Sequence, residues 1–349
     1  MKHDNGFDTL RLFAALLVIF GHAFRLTGEQ GTAYAYSDLA TIGVKIFFVI
    51  SGYLVAASWL RDPNPGRFLQ RRFLRVVPGL AGVVALTVFV FGPVLTSLPL
   101  TAYFADPKTW LYLANIAFYP ADQLPGVFTA NIAPDEVNGS LWSLPAEFSM
   151  YLLLPIAAGI SFALTQSYRV FAVAAIVFVL VAILVIVPAP EFRQWLIYGT
   201  RVWAWCSVAA FFFIGACYTL CRWDRFLNRG VALALLVALP VVRVSPVFDE
   251  LLLVAALPYI VLAFGTGPAP FGGVLTRHGD YSYGLYLYAF PAQQALVGAF
   301  GTPGGALGNF AMSTLIAGAF AILSWHYIER PAFRAKPVAA VPNPVPATA

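Results

Sequence analysis

Apolar runs of about twenty residues recur along the whole chain, separated by short segments where Arg, Asp, Asn, Pro and Gly collect. A bilayer core about 30 Å thick takes roughly 20 mostly apolar residues as one helix, so each run predicts a membrane-spanning helix. Ten such runs fall near 7–26, 39–60, 77–97, 140–164, 170–188, 198–221, 230–243, 250–266, 281–300 and 307–328. The seventh is short and ends at Pro240 and Arg243, so it is expected to be tilted, shallow or re-entrant, with nine or eleven spans as the alternatives. The pattern shows no internal repeat and no second domain. It predicts an all-α polytopic transmembrane helix bundle over residues 1–335, followed by a Pro- and Ala-rich tail, 336–349, without helical periodicity and expected to be disordered. The first run follows Lys2, yet it contains Arg11 and His22 and lacks a small-residue cleavage site, so it reads as a retained span and not a signal peptide.

Composition agrees with this pattern. The 349 residues are 60% hydrophobic and 11% charged, whereas an ordinary soluble domain carries about 25% charged residues. A water-soluble globule is excluded. The formal net charge of +5 reflects basic cytoplasmic loops, not a nucleic-acid partner. With the N-terminus inside, the inner segments hold fourteen Lys and Arg, among them Arg61, Arg67, Arg71, Arg72 and Arg75, and the outer segments hold five. The positive-inside rule therefore places both termini in the cytoplasm and favours an even number of spans. The longest loop, about 98–139, falls outside, and its Trp110, Tyr112, Phe118 and Tyr119 suggest a segment lying at the membrane interface. Cys206, Cys217 and Cys221 have no CxxC pairing and no nearby His, so neither a disulfide framework nor a metal site is indicated.

Ionisable groups inside spans are expensive and are the first functional candidates. Arg11 and His22 are eleven residues apart on the first span; at 100° per residue they share one face, about 16 Å apart along the axis. On the second span, Phe47-Phe48-Val49-Ile50-Ser51-Gly52-Tyr53-Leu54 sets small residues near mid-membrane, where helices can approach closely. There Ser51 either supports a site or bonds a backbone carbonyl. Lys45 lies about six residues inside the outer boundary and either faces the bundle or snorkels out. Before the third span, Arg67-Phe68-Leu69-Gln70-Arg71-Arg72-Phe73-Leu74-Arg75 forms a cytoplasmic loop of guanidinium groups suited either to phosphate or to lipid headgroups. In Ser140-Leu141-Trp142-Ser143-Leu144-Pro145-Ala146-Glu147, the acid lies roughly 10 Å below the outer end of the fourth span. At that depth it would orient His22 or form a buried ion pair with Lys45 or an Arg. Near the C-terminus, His326 and Glu329 read as helix-end anchors with Arg330.

Taken in order, these pieces resemble the integral-membrane acyltransferase 3 family, which acylates hydroxyls of sugars and related acceptors. The matching stretches are the Arg11 to His22 spacing, Phe47 to Leu54, Arg71 to Pro78, Ser140 to Glu147, Tyr281-Ser282-Tyr283-Gly284-Leu285-Tyr286-Leu287, and Glu329-Arg330-Pro331. Two positions depart from the family pattern: members often carry an acid where Lys45 stands, and often Trp-His where this chain has Tyr288-Ala289. The second departure removes a histidine that would compete with His22.

The resemblance implies a multi-pass protein of the cell (inner or plasma) membrane that uses acyl-CoA, most often acetyl-CoA, as donor substrate, with no permanently bound cofactor. It further implies a carbohydrate or glycoconjugate acceptor. On this reading Arg11, Arg72 and Arg75 bind the donor, His22 acts as general base or as acyl-accepting nucleophile, Glu147 orients it, and Lys45 and Ser51 support the site. Two other classes are weighed against it. A proton-coupled or anion transporter would use Arg11, His22, Lys45 and Glu147 as a path, and the lack of an internal repeat speaks against it. A lipid or polyprenol flippase would move its substrate without changing its mass.

Overall fold

The computed structural model describes residues 6–35, 37–267 and 279–335. Lys2 and Arg277, used in the orientation argument, and the tail 336–349 lie outside the described residues. The chain is helical almost throughout: α1 Gly6–Thr27, α2 Leu39–Arg61, α3 Pro65–Leu86, α4 Gly92–Leu95, α5 Leu100–Ala105, α6 Pro107–Leu111, α7 Ser143–Thr165, α8 Arg169–Val181, α9 Val202–Leu220, α10 Arg229–Ala238, α11 Pro246–Gly265, α12 Ser282–Phe300, α13 Gly305–Ser324 and α14 Arg330–Arg334. Wider π turns join α3 to α4, extend α8 through Ile186, and join α13 to α14. Two short antiparallel hairpins, β1 Ala33–Tyr34 with β2 Ser37–Asp38 and β3 Leu196–Ile197 with β4 Thr200–Arg201, turn the chain ahead of α2 and α9.

Among the described residues, eight helices are long and apolar enough to cross a membrane. The other two predicted runs are α10 and α12. Helix α10, at ten residues, spans about 15 Å, half a bilayer core, so the seventh run is too short to cross as one helix, in keeping with its end at Pro240 and Arg243. Helix α12 has 19 residues and packs between α1 and α13; its tyrosines and paired glutamines keep it out of the group of eight.

One boundary differs in a way that matters. The third span does not begin at 77. It begins at Pro65 and runs unbroken to Leu95, so the Arg-rich segment is helix and not a loop. Asn64 caps it by accepting from the backbone N–H of Arg67, and Pro65 fills the first helical position, where its missing N–H is not needed. The Arg side chains are thereby carried on a rigid helix toward the bundle.

The bundle is tightest where α2 meets α9. A Cβ on Gly52 would collide with the Phe212 carbonyl, and one on Gly215 with that of Val49. The glycine after Ser51 is therefore a close-approach position, as its neighbours in sequence suggested. The outer loop divides: Trp110 and Tyr119 are exposed as an interfacial segment requires, but Tyr112 and Phe118 turn inward and are buried.

Candidate active site

A cleft of about 730 Å³ opens among α1, α2, α3, α7 and α12, lined among others by Arg11, Ser51, Arg72, Arg75, Glu147 and Tyr151. Five of the seven expected site residues meet here, from four helices. Arg11, Arg72 and Arg75 lie toward the ends of α1 and α3 that the charge pattern assigns to the cytoplasm, and Ser51 and Glu147 meet near the middle of α2.

The basic residues differ in what they touch. Asp62, just after α2, accepts hydrogen bonds from Arg67 Nε at 2.9 Å and Nη2 at 2.6 Å, and from Arg71 Nη1 at 2.6 Å. These bonds hold the Asp62 carboxyl well below the ordinary carboxylate range. Arg75 Nη2 donates to Asp280 Oδ2 at 2.6 Å, and Arg11 Nη1 lies 3.6 Å from the same oxygen and 3.3 Å from Asp8 Oδ1. Burial pushes the Asp280 carboxyl up, but Arg75 and Arg11 more than offset this and bring it down to about 2. Arg75, expected to bind the donor, lines the cleft as a cation paired with Asp280. Arg72 remains. Among the described residues it forms no ion pair or hydrogen bond, its Nε is buried without a partner, and its guanidinium stands over the Tyr151 ring at 6.0 Å.

Opposite Arg72 is an acid held by hydroxyls. Glu147 Oε1 accepts from Ser51 Oγ at 2.7 Å and from the Tyr151 hydroxyl, and the two hydroxyl oxygens are 3.0 Å apart. Ser51 therefore supports this site and does not back-bond to its own helix. Glu147 pairs with neither Lys45 nor an Arg, and it makes no hydrogen bond to His22. The expectation that Glu147 orients His22 is corrected: its contacts on α7 and α2 are with Tyr151 and Ser51.

His22 lies outside this cleft, in the outer half of α1. It is half-buried, edge-on to Phe290 with ring centroids 5.1 Å apart. Beyond it, Arg25 and Glu136 form an ion pair toward the outer surface. Helix α12 connects the two places. Tyr283, Tyr286, Phe290 and Gln293, spaced three, four and three, fall on one face. Tyr283 and Tyr286 line the cleft, Phe290 meets His22, and Gln293 Nε2 donates to the Ile19 carbonyl on α1 at 2.9 Å.

Lys45 does not snorkel. Only 2% exposed, it donates to both oxygens of Glu250 on α11 at 2.8 and 2.9 Å and to Ser37 Oγ at 3.1 Å, with its ammonium 5.0 Å from the Phe211 ring. It belongs to a closed pair apart from the cleft. Glu329, expected to anchor with Arg330, is 1% exposed and accepts from Ser324 Oγ at 2.9 Å instead. Asp280 and Tyr151 were not expected at the site, and Tyr283 and Tyr286 were noted only within a matching stretch, since tyrosines near span ends read as interfacial; the four-residue spacing of Glu147 and Tyr151 was the signal of a shared helix face.

Five of the six ordered stretches supply residues to this cleft, and comparison against known proteins agrees with the resemblance they carry. The family model described as an acyltransferase domain matches residues 4–328. The chain belongs to the acyltransferase 3 family. It is 28% identical to an O-acetyl transferase of Shigella phage Sf6 over 334 residues, covering 95% of this chain and 96% of that protein. Nodulation protein 10 of Rhizobium leguminosarum bv. viciae is 34% identical over 161 residues, 44% of each chain. The peptidoglycan O-acetyltransferase OatA of Listeria monocytogenes is 28% identical over 167 residues, 44% of this chain and 24% of that protein. No solved structure matches. As a member of this family the chain is a multi-pass membrane O-acetyltransferase.

Proposed function

We propose that this acyltransferase 3 protein moves an acetyl group from acetyl-CoA, arriving from the cytoplasm, to a sugar hydroxyl of a cell-surface or exported glycan in the cell membrane. The observation that carries the reading is Arg72: a guanidinium inside a membrane bundle, unpaired among the described residues and lining the cleft with Ser51, Glu147 and Tyr151. A buried charge without a counterion is costly, and an anionic or strongly polar ligand would relieve it. Coenzyme A brings phosphates and a chain of carbonyls, both good acceptors for guanidinium. The glycan acceptor is supported by the Listeria relative, a peptidoglycan O-acetyltransferase.

In this mechanism the donor's phosphates lie near the cytoplasmic mouth and Arg72 holds its polar groups, with Arg11 and Arg75 fixed on the walls by Asp8 and Asp280. The thin pantetheine arm extends along the α12 face toward His22, about 16 Å beyond Arg11 along α1. The acceptor hydroxyl approaches from the outer side. Its oxygen attacks the thioester carbon, His22 takes the hydroxyl proton, the carbon–sulfur bond breaks, and the leaving thiolate receives that proton from His22. General-base help of this kind is worth about 10²- to 10⁴-fold. Coenzyme A then leaves on the side from which it came.

The test compares wild type with His22→Ala in membrane vesicles given acetyl-CoA on the cytoplasmic face and a pooled glycan extract, following free coenzyme A and product mass. The expected result is acceptor-dependent release with a gain of one acetyl unit, reduced at least 100-fold in the variant while the protein stays in the membrane. Normal turnover by the variant would remove His22 from the chemistry. Labelled-solute flux by wild type without any mass change would favour transport.

A further inference from the structure

Arg72 and Glu147 share one cleft yet do not pair. In a low-dielectric site a guanidinium and a carboxylate that can approach each other attract strongly and tend to pair, as Arg75 does with Asp280 here. One side chain touches both groups. Tyr151, 3% exposed, stands four residues after Glu147 on the same face of α7; its ring lies under the Arg72 guanidinium and its hydroxyl donates to Glu147 Oε1. The ring is fixed in turn by Phe148 and Phe212, each with its centroid 6.3 Å away. Ser51 donates to that same Glu147 oxygen, so both hydroxyls fall on Oε1. Oε2 makes no hydrogen bond among the described residues.

We propose that Tyr151 is a positioning residue that keeps the two charged groups of the cleft apart. Its ring gives Arg72 a partner weak enough for a donor to displace, and its hydroxyl ties the carboxylate back so that Arg72 stays open. The inference rests on the donor reading above and deepens it: it names what keeps that subsite from closing on itself.

The two functions of Tyr151 separate by mutation. Tyr151→Phe keeps the ring under Arg72 and removes one of the two hydroxyl ties on Glu147, Ser51 keeping the other; coenzyme A affinity falls about three- to fivefold, less than in the variant that loses the ring as well. Tyr151→Leu removes the spacer, Arg72 and Glu147 close on each other, and coenzyme A affinity falls about tenfold or more. Tyr151→Leu combined with Glu147→Gln removes the carboxylate that would capture Arg72, so affinity returns to within about twofold of wild type. A merely structural tyrosine would show no such recovery, because the second substitution would add to the damage.

The experiment is equilibrium binding of coenzyme A to purified full-length wild type, Tyr151→Phe, Tyr151→Leu and the double variant in detergent, with turnover measured on the same samples. Loss in Tyr151→Leu and recovery in the double variant support the inference. Wild-type affinity in Tyr151→Leu, or failure of Glu147→Gln to restore binding, overturns it while leaving the donor reading intact. Absence of coenzyme A binding by wild type overturns the donor reading and this inference with it.

Discussion

Lys45 and Arg72 are both cations inside the helix bundle, and the bundle treats them in opposite ways. Lys45 is closed off: both oxygens of Glu250, the Ser37 hydroxyl and the face of Phe211 surround its ammonium. Arg72 meets only an aromatic ring and leaves a buried Nε unbonded among the described residues. The desolvation problem is the same in kind at both places. Where the chain supplies its own acid, the charge serves packing between α2 and α11; where it withholds one, the charge is left for something else to bind. The comparison also separates members of the Arg-rich run, since Arg67 and Arg71 are spent on Asp62 and Arg75 on Asp280.

The largest expected effect breaks the closed side. Lys45→Met leaves Glu250, a part-buried carboxylate, without its partner and should lower stability by about 3 kcal/mol, read as a fall in the unfolding midpoint in detergent. Lys45→Met with Glu250→Met removes both charges and should restore most of that loss. A harmless single substitution would mean that water already reaches Glu250, and the contrast with Arg72 would fail.

A smaller effect sharpens the contrast within the Arg-rich helix. Asp62 ties down Arg67 and Arg71 outside the spans, and their hydrogen bonds hold its carboxyl below the ordinary value of 3.8. A carboxyl depressed in the folded state contributes stability that is fully present above the unfolded value and is lost as pH falls toward the folded one. Asp62→Asn should therefore lower the melting temperature by the same amount at pH 7 and pH 5, and the gap to wild type should shrink below about pH 4. A gap that widens on acidification would contradict the ion-pair origin. Coenzyme A binding should be little changed in this variant, because the guanidinium groups it frees are not the one that lines the donor cleft alone.

Much of the fold was legible because a bilayer demands long apolar runs, and each of the ten predicted runs corresponds to a helix. The start of α3 was not, because arginines score as loop by hydropathy although they are good helix formers; the cap at Asn64 and Pro65 was the local signal. Ser51, Arg11, Arg72, Arg75 and Glu147 were found as intramembrane or near-membrane polar groups, and the cleft gathers them. Their partners were harder to see. Lys45 with Glu250 and Arg75 with Asp280 each join residues 205 apart, a pairing that no helical periodicity encodes. Depth along a span, estimated by counting residues, brought Glu147 toward His22 on paper; the lateral arrangement of helices, which counting cannot supply, gave it to Ser51 and Tyr151 instead. The role of α12 was hidden for a related reason. Its tyrosines suit a membrane interface and a site wall equally well, and only packing against α1 and α3 decides between them.

The most direct test of the central claim, that Arg72 is the cation left open for the donor, is coenzyme A binding to purified wild type, Arg72→Ala and Arg71→Ala side by side. Charge-assisted hydrogen bonds contribute about 1.5–3 kcal/mol, which corresponds to a loss of roughly 10- to 100-fold. The account predicts that loss for Arg72→Ala and an affinity within about twofold of wild type for Arg71→Ala. Equal losses in both variants, or wild-type affinity in Arg72→Ala, would contradict it.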